Sequence, residues 1–534
     1  MTNKLRKYHL EIQTHRKTPY AILRSSFWED GKVKHDTLCQ IKGLSLEKLR
    51  LMQAAIQGKV IMKDDFKIIE SREYGASFAC VALMKALGLH TSIFSRPSED
   101  WVRSCLAMIA GRLVYADSKL SLSHCGSYSA LWETCGIERD VDVNIDCYQA
   151  MDRLLERQGA IQKKLADKHL SDGCLVLYDI TSSYMEGEYA DSELVAFGYN
   201  RDRKRGHEQI VISLLCSKDG CPVAVEVFEG NTKDETTVLD KISEIKEKYG
   251  IEKVVFVGDR GMVTQARYEQ IDHEFVKVIS ALTHGAIKTL CEKDVVQMSM
   301  FDEKNIVEVI DGGIRYCLCK NPLTAAKETA TREALLKKTV DELDKIIAST
   351  RKTKHSKEIR AGKVVGKFKM GKFIIFEGQG ENLTFRIDET KLEEESLMDG
   401  CYVIFTDALQ EDMSAIEAVE NYKRLMHVEQ AFRSLKTVQL EIRPVYHKTD
   451  DRIRCHVFLC MLAYYVMWHM KQRLVPLFES DGVGADRKYT FDYVIETLKG
   501  IRRETVEVCG VKSHVITTPT TEQQRILQLL QVAL

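Results

Sequence analysis

Three carboxylates distributed along the chain are of the type that could support metal-assisted chemistry on phosphates. Asp179 is the second-to-last residue of the largely apolar run Cys174–Ile180, and Asp259 lies two residues after the run Lys253–Val257. β-branched and aromatic residues in such short runs predict buried strands. Functional groups of open α/β sheets collect at the carboxyl ends of strands, so the two carboxylates meet if their strands are neighbours. The alternative is that both are ordinary turn aspartates.

The third carboxylate, Glu429, lies in a long predicted helix. Tyr422, Glu429 and Lys436 are seven residues apart, so they share one helix face, and Arg433 lies one turn beyond Glu429. Such a face could simply be solvated, but Val428 and its apolar neighbours are expected to pack the opposite side, which places Glu429 near the sheet.

Three carboxylates from different elements match the oxygen ligands that Mg²⁺ prefers. Two such ions can activate the attacking oxygen and stabilise the leaving oxygen in phosphoryl transfer. In that scheme Tyr422, Arg433 and Lys436 would hold a DNA phosphate on the face that bears Glu429.

The elements that must position these acids follow a mixed α/β order. Strands are predicted at Cys174–Ile180, Gln209–Cys216, Pro222–Phe228, Lys253–Val257, Phe275–Ser280 and Tyr402–Thr406, with helices at Asp234–Lys248 and Thr264–Ile271. A helix is predicted from Ser414 to Lys436, with Ser414 and Glu417 as a capping box. Before the last strand the order is interrupted by a segment that contains strand-like pieces and a charged helix.

The predicted organisation therefore has six parts. They are a β-hairpin segment at 1–44, an α-rich domain at 45–170 that recognises DNA ends, a first core part at 171–283, a β-rich insertion at 284–400, a second core part at 401–475 and a C-terminal tail at 476–534.

Composition indicates a soluble protein of two to four folded units, since 534 residues exceed one ordinary core. The amino terminus lacks the apolar core of a signal peptide. The run Cys455–Trp468 is too short to span a bilayer, so a buried helix is expected and no membrane partner. Sixteen scattered cysteines favour a reducing cytoplasm.

Net charge is −1, but basic residues are clustered. Arg351–Lys372 contains nine Lys or Arg against one acid, and Arg201–Arg205 contains four. Such runs are usually solvated surface, and they are also typical of surfaces that bind a phosphate backbone.

The motifs "LYDITS", "GDRGM" and "Y-x6-E-x6-K", in this order, resemble those of the DDE transposases of bacterial insertion sequences that carry a Tyr–Arg–Glu–Lys signature. "FEGNTKDETTVL" is similar to the segment that such proteins have between the first two acids. The resemblance covers roughly residues 172–468. It implies an RNase H-like core with a β-rich insertion before the last acid.

The resemblance further implies cut-and-paste transposition with two Mg²⁺ (or Mn²⁺) ions, in which Asp179, Asp259 and Glu429 are the catalytic metal ligands. Tyr422 and Lys436 would contact DNA, and we add Arg260, Arg424 and Arg433 to that expectation. The partners would be double-stranded DNA, namely the element's inverted-repeat ends and the target, and a second copy in a paired-end homodimer. The expected location is the cytoplasm, at the nucleoid when DNA is bound.

One position departs from the signature. The family's Arg lies four residues before the Glu, where this chain has Leu425, with Arg424 next to it. Two alternatives stay open: a metal-dependent nuclease of the same fold that does not transfer strands, and an inactive DNA-binding descendant.

Overall fold

The computed structural model describes residues 7–14, 18–29, 31–58, 66–202, 204, 206–349, 356–480, 488–508 and 511–534. The strands are β1 Lys7–Gln13, β2 Tyr20–Glu29, β3 Lys32–Ile41, β4 Phe66–Glu73, β5 Cys174–Tyr184, β6 Gln209–Ser217, β7 Pro222–Glu229, β8 Val254–Gly258, β9 Val276–Ala281, β10 Val307–Asp311, β11 Ile314–Lys320, β12 Ile374–Glu377, β13 Thr384–Ile387, β14 Cys401–Thr406, β15 Arg502–Val508 and β16 Val511–Ile516.

The α-helices are α1 Leu46–Ile56, α2 Gly75–Ala86, α3 Leu89–Ile93, α4 Asp100–Val114, α5 Lys119–Ser123, α6 Leu131–Thr134, α7 Ala150–Glu156, α8 Gln158–His169, α9 Thr237–Glu247, α10 Gln265–Tyr268, α11 His284–Glu292, α12 Pro322–Ile347, α13 Lys357–Phe368, α14 Glu389–Leu397, α15 Ala415–Lys423, α16 Met426–Arg433, α17 Asp450–Glu479, α18 Phe491–Lys499 and α19 Thr521–Leu530.

The chain folds into two compact units. One comprises residues 1–161, 188–192 and 434–534, and the other comprises residues 162–187 and 193–433.

The second unit is built on an eight-stranded mixed sheet in the order β10-β11-β14-β9-β8-β5-β6-β7. β8 pairs in parallel with both β5 and β9, and the other neighbours are antiparallel. The strands predicted for β5 to β9 and β14 are confirmed within a few residues. Their β-branched and aromatic side chains suit a sheet covered on both faces, and β6 is buried along its whole length.

β5 is longer than predicted. The expected strand ends at Ile180, but β5 continues through Thr181, Ser182 and Ser183 to Tyr184, and those three hydroxyl residues are buried. Pairing with β6 over Val176–Tyr184 supplies the backbone hydrogen bonds that keep this polar stretch extended.

The insertion is not β-rich, so that expectation is wrong. Residues 284–400 are mainly helical: α12 alone has 26 residues, and α11, α13 and α14 add three more helices. Its strands are short, and β10 and β11 extend the main sheet through β14. A small separate core, which includes Leu343, Ala361 and Ile374, joins α12 and α13 to the β12–β13 hairpin.

The prediction of one continuous helix over residues 414–436 is also wrong in detail. The capping box of Ser414 and Glu417 is present, but α15 ends at Lys423, α16 begins at Met426, and a π-helical turn covers Ser434–Val438. The bend lets α15 pack over β8, β9, β11 and β14 while α16 packs over β5. A straight helix would not follow a twisted sheet in this way.

The first unit contains two further sheets. β1, β2 and β3 form an antiparallel sheet against α1, and β1 was not predicted. The Asp30-Gly31 pair is a sequence signal for the hairpin turn, but Asp30 lies outside the described residues. Residues 351–355, Arg203 and Arg205 of the basic runs also lie outside them. β4 pairs with β15, which pairs with β16. The predicted buried helix at Cys455–Trp468 is the centre of α17.

Helix α17 has apolar residues around its whole circumference because α2, α4, α7 and α19 pack around it. No helix among the described residues is long and apolar enough to cross a membrane.

Candidate active site

Asp179 and Asp259 occupy equivalent positions on adjacent parallel strands. The pairing of β5 with β8 runs from Cys174 opposite Val254 to Tyr178 opposite Gly258. Asp179 is the next residue on β5, and Asp259 is the first residue after β8. Since neighbouring strands lie about 4.8 Å apart, this register brings the two acids to the same point of the sheet, where β8 ends.

A tight turn fixes Asp259 as the chain leaves β8. Its Oδ1 accepts a hydrogen bond from the backbone N–H of Arg260 at 2.6 Å, and its carbonyl accepts from Met262 N at 3.1 Å. The Ser280 hydroxyl on β9 donates to the same carbonyl at 3.2 Å. Gly261 completes the turn with φ +85°, a conformation that L side chains rarely adopt.

Glu429 lies on α16, the helix that packs over β5. It lies exposed on α16, whose buried face of Val428, Ala431 and Phe432 packs the helix onto the sheet at β5. The three carboxylates share one electrostatic environment. Burial, with the charges of Asp259 and Glu429 adding to it, raises the pKa of Asp179 to about 7, against opposing contributions from the Ile180 N–H and Arg201.

The carboxylate oxygens of these three acids do not all lie within 4.8 Å of one another. β5, β8 and α16 bring the three acids to one region, but the carboxylate oxygens do not form a single cluster.

Arg201 and Asp234 form a second layer beside Asp179 that sequence reasoning missed. The Arg201 guanidinium pairs with the Asp234 carboxylate and donates to the carbonyl of Ile180, the residue after Asp179. The Arg201 backbone N–H donates to the Ser182 hydroxyl at 3.0 Å. The positive charge of Arg201 therefore lies where it opposes the rise in the Asp179 pKa.

Two glycines explain how the loop that carries Arg201 reaches this position. Gly230, in the "FEGN" motif, donates to Leu194 O at 3.0 Å, and a Cβ there would lie 2.3 Å from Ala196 O. A Cβ on Gly198 would lie 1.9 Å from Gly230 O. Only glycine allows this backbone contact. The only local sign in the sequence was the glycine and acid content of "FEGNTKDETTVL".

Tyr422 contacts Asp259, one of the three acids, directly. Its hydroxyl donates to Asp259 Oδ1 at 3.3 Å from the last turn of α15. Burial, with the nearby Asp259 charge, raises the Tyr422 pKa above its usual value, so the hydroxyl keeps its proton and remains a donor. The Arg260 charge, close enough to act on Tyr422, makes this edge of the site partly cationic.

Arg424, which lies next to the signature's Arg position, contacts Asn421 and Asp219. Its Nε donates to Asn421 Oδ1 at 3.2 Å, and its guanidinium lies 3.7 Å from the Asp219 carboxylate in the turn between β6 and β7. Leu425, at the signature's Arg position, is 6% exposed and fills the bend between α15 and α16. Arg433 is exposed at the end of α16, and Lys436 lies in the π-helical turn.

The turn between β6 and β7 also fixes the start of α16. Gly220 has φ +83°, and a Cβ there would lie 2.7 Å from the Cβ of His427. The helix that carries Glu429 therefore rests against a glycine backbone, and this close approach sets its height over β5.

Comparisons with known proteins identify the family of this chain. The family model described as "Transposase DDE domain" matches residues 171–466. No curated protein matches the chain. Among solved structures, a piggyBac transposase synaptic complex with hairpin DNA is similar with a TM-score of 0.36 and 7% identity, covering 80% of each chain, a similarity too small to support an argument. The family match covers more than half of the chain, and this protein therefore belongs to the transposase DDE domain family.

Proposed function

We propose that this chain is a cut-and-paste transposase, which cleaves DNA at the ends of an element and joins the 3′-hydroxyl to target DNA. Asp179, Asp259 and Glu429 are the proposed catalytic residues. The observation that carries the proposal is the register of β5 and β8, which brings Asp179 next to Asp259 beneath the helix that carries Glu429. The family match gives the chemistry in which such acids act.

An RNase H-like core is part of the proposal. The strand order β7-β6-β5-β8-β9, with an antiparallel meander followed by two parallel strands, supports it. In this core the first acid lies on the central strand and the second at the end of its parallel neighbour. Membership of the bacterial insertion-sequence group remains a proposal that depends on the motif resemblance alone.

The donor set fits two Mg²⁺ or Mn²⁺ ions. All three groups offer carboxylate oxygens, which hard divalent cations prefer. Burial is the main cause of the raised Asp179 pKa, and the charges of Asp259 and Glu429, which a cation would neutralise, add to it. When bound, the ions would supply Lewis-acid activation of the attacking oxygen and stabilisation of the leaving oxygen.

The chain's own residues have distinct roles in this proposal. Tyr422 holds the Asp259 carboxylate through its hydroxyl, and Arg201 holds the backbone that follows Asp179. Arg260 and Arg433, both exposed near the acids, would contact DNA phosphates. Lys436 and Arg424 are proposed DNA contacts as well, although the ion pair of Arg424 with Asp219 would have to open first.

The proposed partners are double-stranded DNA, both element ends and target, and a second copy of the chain that pairs the two ends. This activity would take place in the cytoplasm, at the nucleoid.

A strand-transfer assay tests the activity. A labelled precut element end, a plasmid target and Mg²⁺ or Mn²⁺ should yield joined product. Efficient nicking without joining would support a nuclease instead, and neither activity with intact DNA binding would support an inactive descendant.

Substitution of the acids tests the site. Asp179→Asn, Asp259→Asn and Glu429→Gln should each abolish cleavage while gel-shift affinity for DNA stays close to that of the wild type. Near-normal cleavage by any of the three would show that its assignment is wrong.

A further inference from the structure

A cavity of about 570 Å³ lies within the first unit, between α4, α5, α17 and the segment before α17. Among its lining residues are Arg112, Lys119, Tyr148, His447 and His456. Arg112 and Lys119 are 6% and 5% exposed. Two buried cations in one cavity are unusual, because burying an unpaired charge is unfavourable.

In the described part of the chain, the ammonium group of Lys119 has one hydrogen-bond partner, and it is a histidine. Its Nζ lies 3.4 Å from His456 Nδ1, while His456 Nε2 lies 3.0 Å from the carbonyl of Ile442. A carbonyl can only accept, so Nε2 carries the proton and Nδ1 accepts from Lys119. This long contact uses one of the three ammonium donors.

Arg112 also keeps donors available. Its terminal nitrogen Nη1 donates to three carbonyls, those of Ala116, Leu440 and Glu441, at 2.7–3.4 Å. Among the described residues, its other nitrogens make no hydrogen bond, and neither Arg112 nor Lys119 has a carboxylate within 4.0 Å. The two acids that line the cavity, Asp117 and Glu441, are more exposed than either cation.

His447 completes the polar lining. Burial and the nearby positive charges lower its pKa to about 3, so the ring is neutral near pH 7 and offers one N–H donor. The His447 ring lies 5.9 Å from that of Tyr148 in an edge-to-face arrangement. The lining thus combines cationic donors, a neutral donor and an aromatic wall.

We propose that this cavity is a binding site for a phosphate ester, whose anionic oxygens would be held by Lys119, Arg112 and His447. Lysine and arginine are the common ligands of phosphate oxygens, and an anion would replace the missing counter-charge of both cations. The volume exceeds that of a phosphate alone and lies in the range of pockets for small organic ligands, which leaves room for a nucleoside beside Tyr148. The site does not involve the three acids, so it stands or falls independently of the proposed transposition.

Thermal denaturation of the full chain tests the site with inorganic phosphate, deoxyadenosine monophosphate and a 5′-phosphorylated single-stranded oligonucleotide, against chloride at equal ionic strength. Each ligand that binds should raise the melting temperature of the wild type. Lys119→Met should melt higher than the wild type without ligand, because it removes a buried charge, and should lose at least 80% of the phosphate-induced shift. Lys85→Met, at an exposed position on α2, is the matched control and should retain the full shift.

A second measurement needs no variant. Phosphate should slow reductive methylation of Lys119 in the wild-type protein severalfold, as followed by mass spectrometry, and leave Lys85 unaffected. Oligonucleotide binding with the same dependence on Lys119 would identify DNA as the source of the phosphate, whereas binding of the mononucleotide alone would identify a free nucleotide. No phosphate-dependent shift and no protection in the wild type, or an undiminished shift in Lys119→Met, would overturn the proposal.

Discussion

Asp179→Asn should stabilise the metal-free protein at high pH, although it removes a proposed catalytic group. Burial, Asp259 and Glu429 raise the Asp179 pKa from 3.8 to about 7. Below pH 3.8 the carboxyl is protonated in both the folded and the unfolded chain. As pH rises towards 7 the unfolded chain releases this proton while the folded chain retains it, so folded stability falls, and above pH 7 the loss is complete.

The size of the effect follows from the pKa shift. Each pKa unit corresponds to about 1.36 kcal/mol, which gives an upper value of about 4 kcal/mol. The side chain retains some contact with solvent, which screens part of this, and we expect about 2 kcal/mol. Asparagine does not titrate and has nearly the same shape. The variant should therefore melt about 4 °C above the wild type at pH 8 and at the same temperature at pH 4.

Thermal unfolding in EDTA at pH 4 and pH 8 measures the difference. Asp240→Asn, at an exposed position on α9, is the matched control and should change the midpoint little at either pH. Added Mg²⁺ should then stabilise the wild type more than Asp179→Asn, because ligand binding to the folded state raises its stability. A variant that melts at or below the wild-type temperature at pH 8 without metal would refute the inference that burial and the two neighbouring acids raise the pKa of Asp179.

Three further substitutions test the supporting contacts. Tyr422→Phe removes the 3.3 Å hydrogen bond to Asp259. Because hydrogen bonds to charged groups contribute about 1.5–3 kcal/mol, cleavage should slow about 10- to 100-fold, while DNA affinity in a gel-shift assay stays unchanged. Unchanged cleavage would contradict this role of Tyr422. Arg201→Lys cannot bridge the Ile180 carbonyl and Asp234 at once, so half-maximal cleavage should require more Mg²⁺, and an unaltered metal titration would exclude a positioning role. Gly220→Ala should lower the free energy of unfolding by about 1–3 kcal/mol and slow cleavage, whereas Gly250→Ala, with φ +69° and no atom within 4 Å of its Cβ, should affect stability less and cleavage not at all.

The strands that flank the acids could be predicted from sequence because local composition determines them. The runs that form β5, β6 and β8 are apolar and β-branched, and their order along the chain restricts the sheet to a few topologies. The extension of β5 through Thr181–Ser183 could not be predicted, because the hydroxyl residues become strand only through pairing with β6.

The helix bend at Leu425 has no signal in the periodicity. Ala418, Leu425, Val428 and Phe432 are seven, three and four residues apart, so the apolar pattern across the bend fits a straight helix and a bent one equally well. The packing of α15 and α16 over different strands selects the bend. The part that Arg424 plays beside the signature position likewise depends on the direction of its side chain, which sequence spacing does not give.

Arg201 was missed for another reason. Its partner Asp234 is 33 residues away along the chain, and an ion pair between residues so far apart produces no short-range pattern in the sequence. The insertion was misjudged because its short strand-like pieces were given more weight than its charged helix, which is the 26-residue α12.

The placement of β14 has a consequence for how the chain folds during synthesis. β9 ends at Ala281, but its antiparallel neighbour β14 begins only at Cys401, after the whole insertion. A nascent chain that has not reached β14 therefore presents an open strand edge, a surface prone to intermolecular pairing. Glu429 follows β14 in sequence, so a chain too short to close this edge also lacks the third acid of the site.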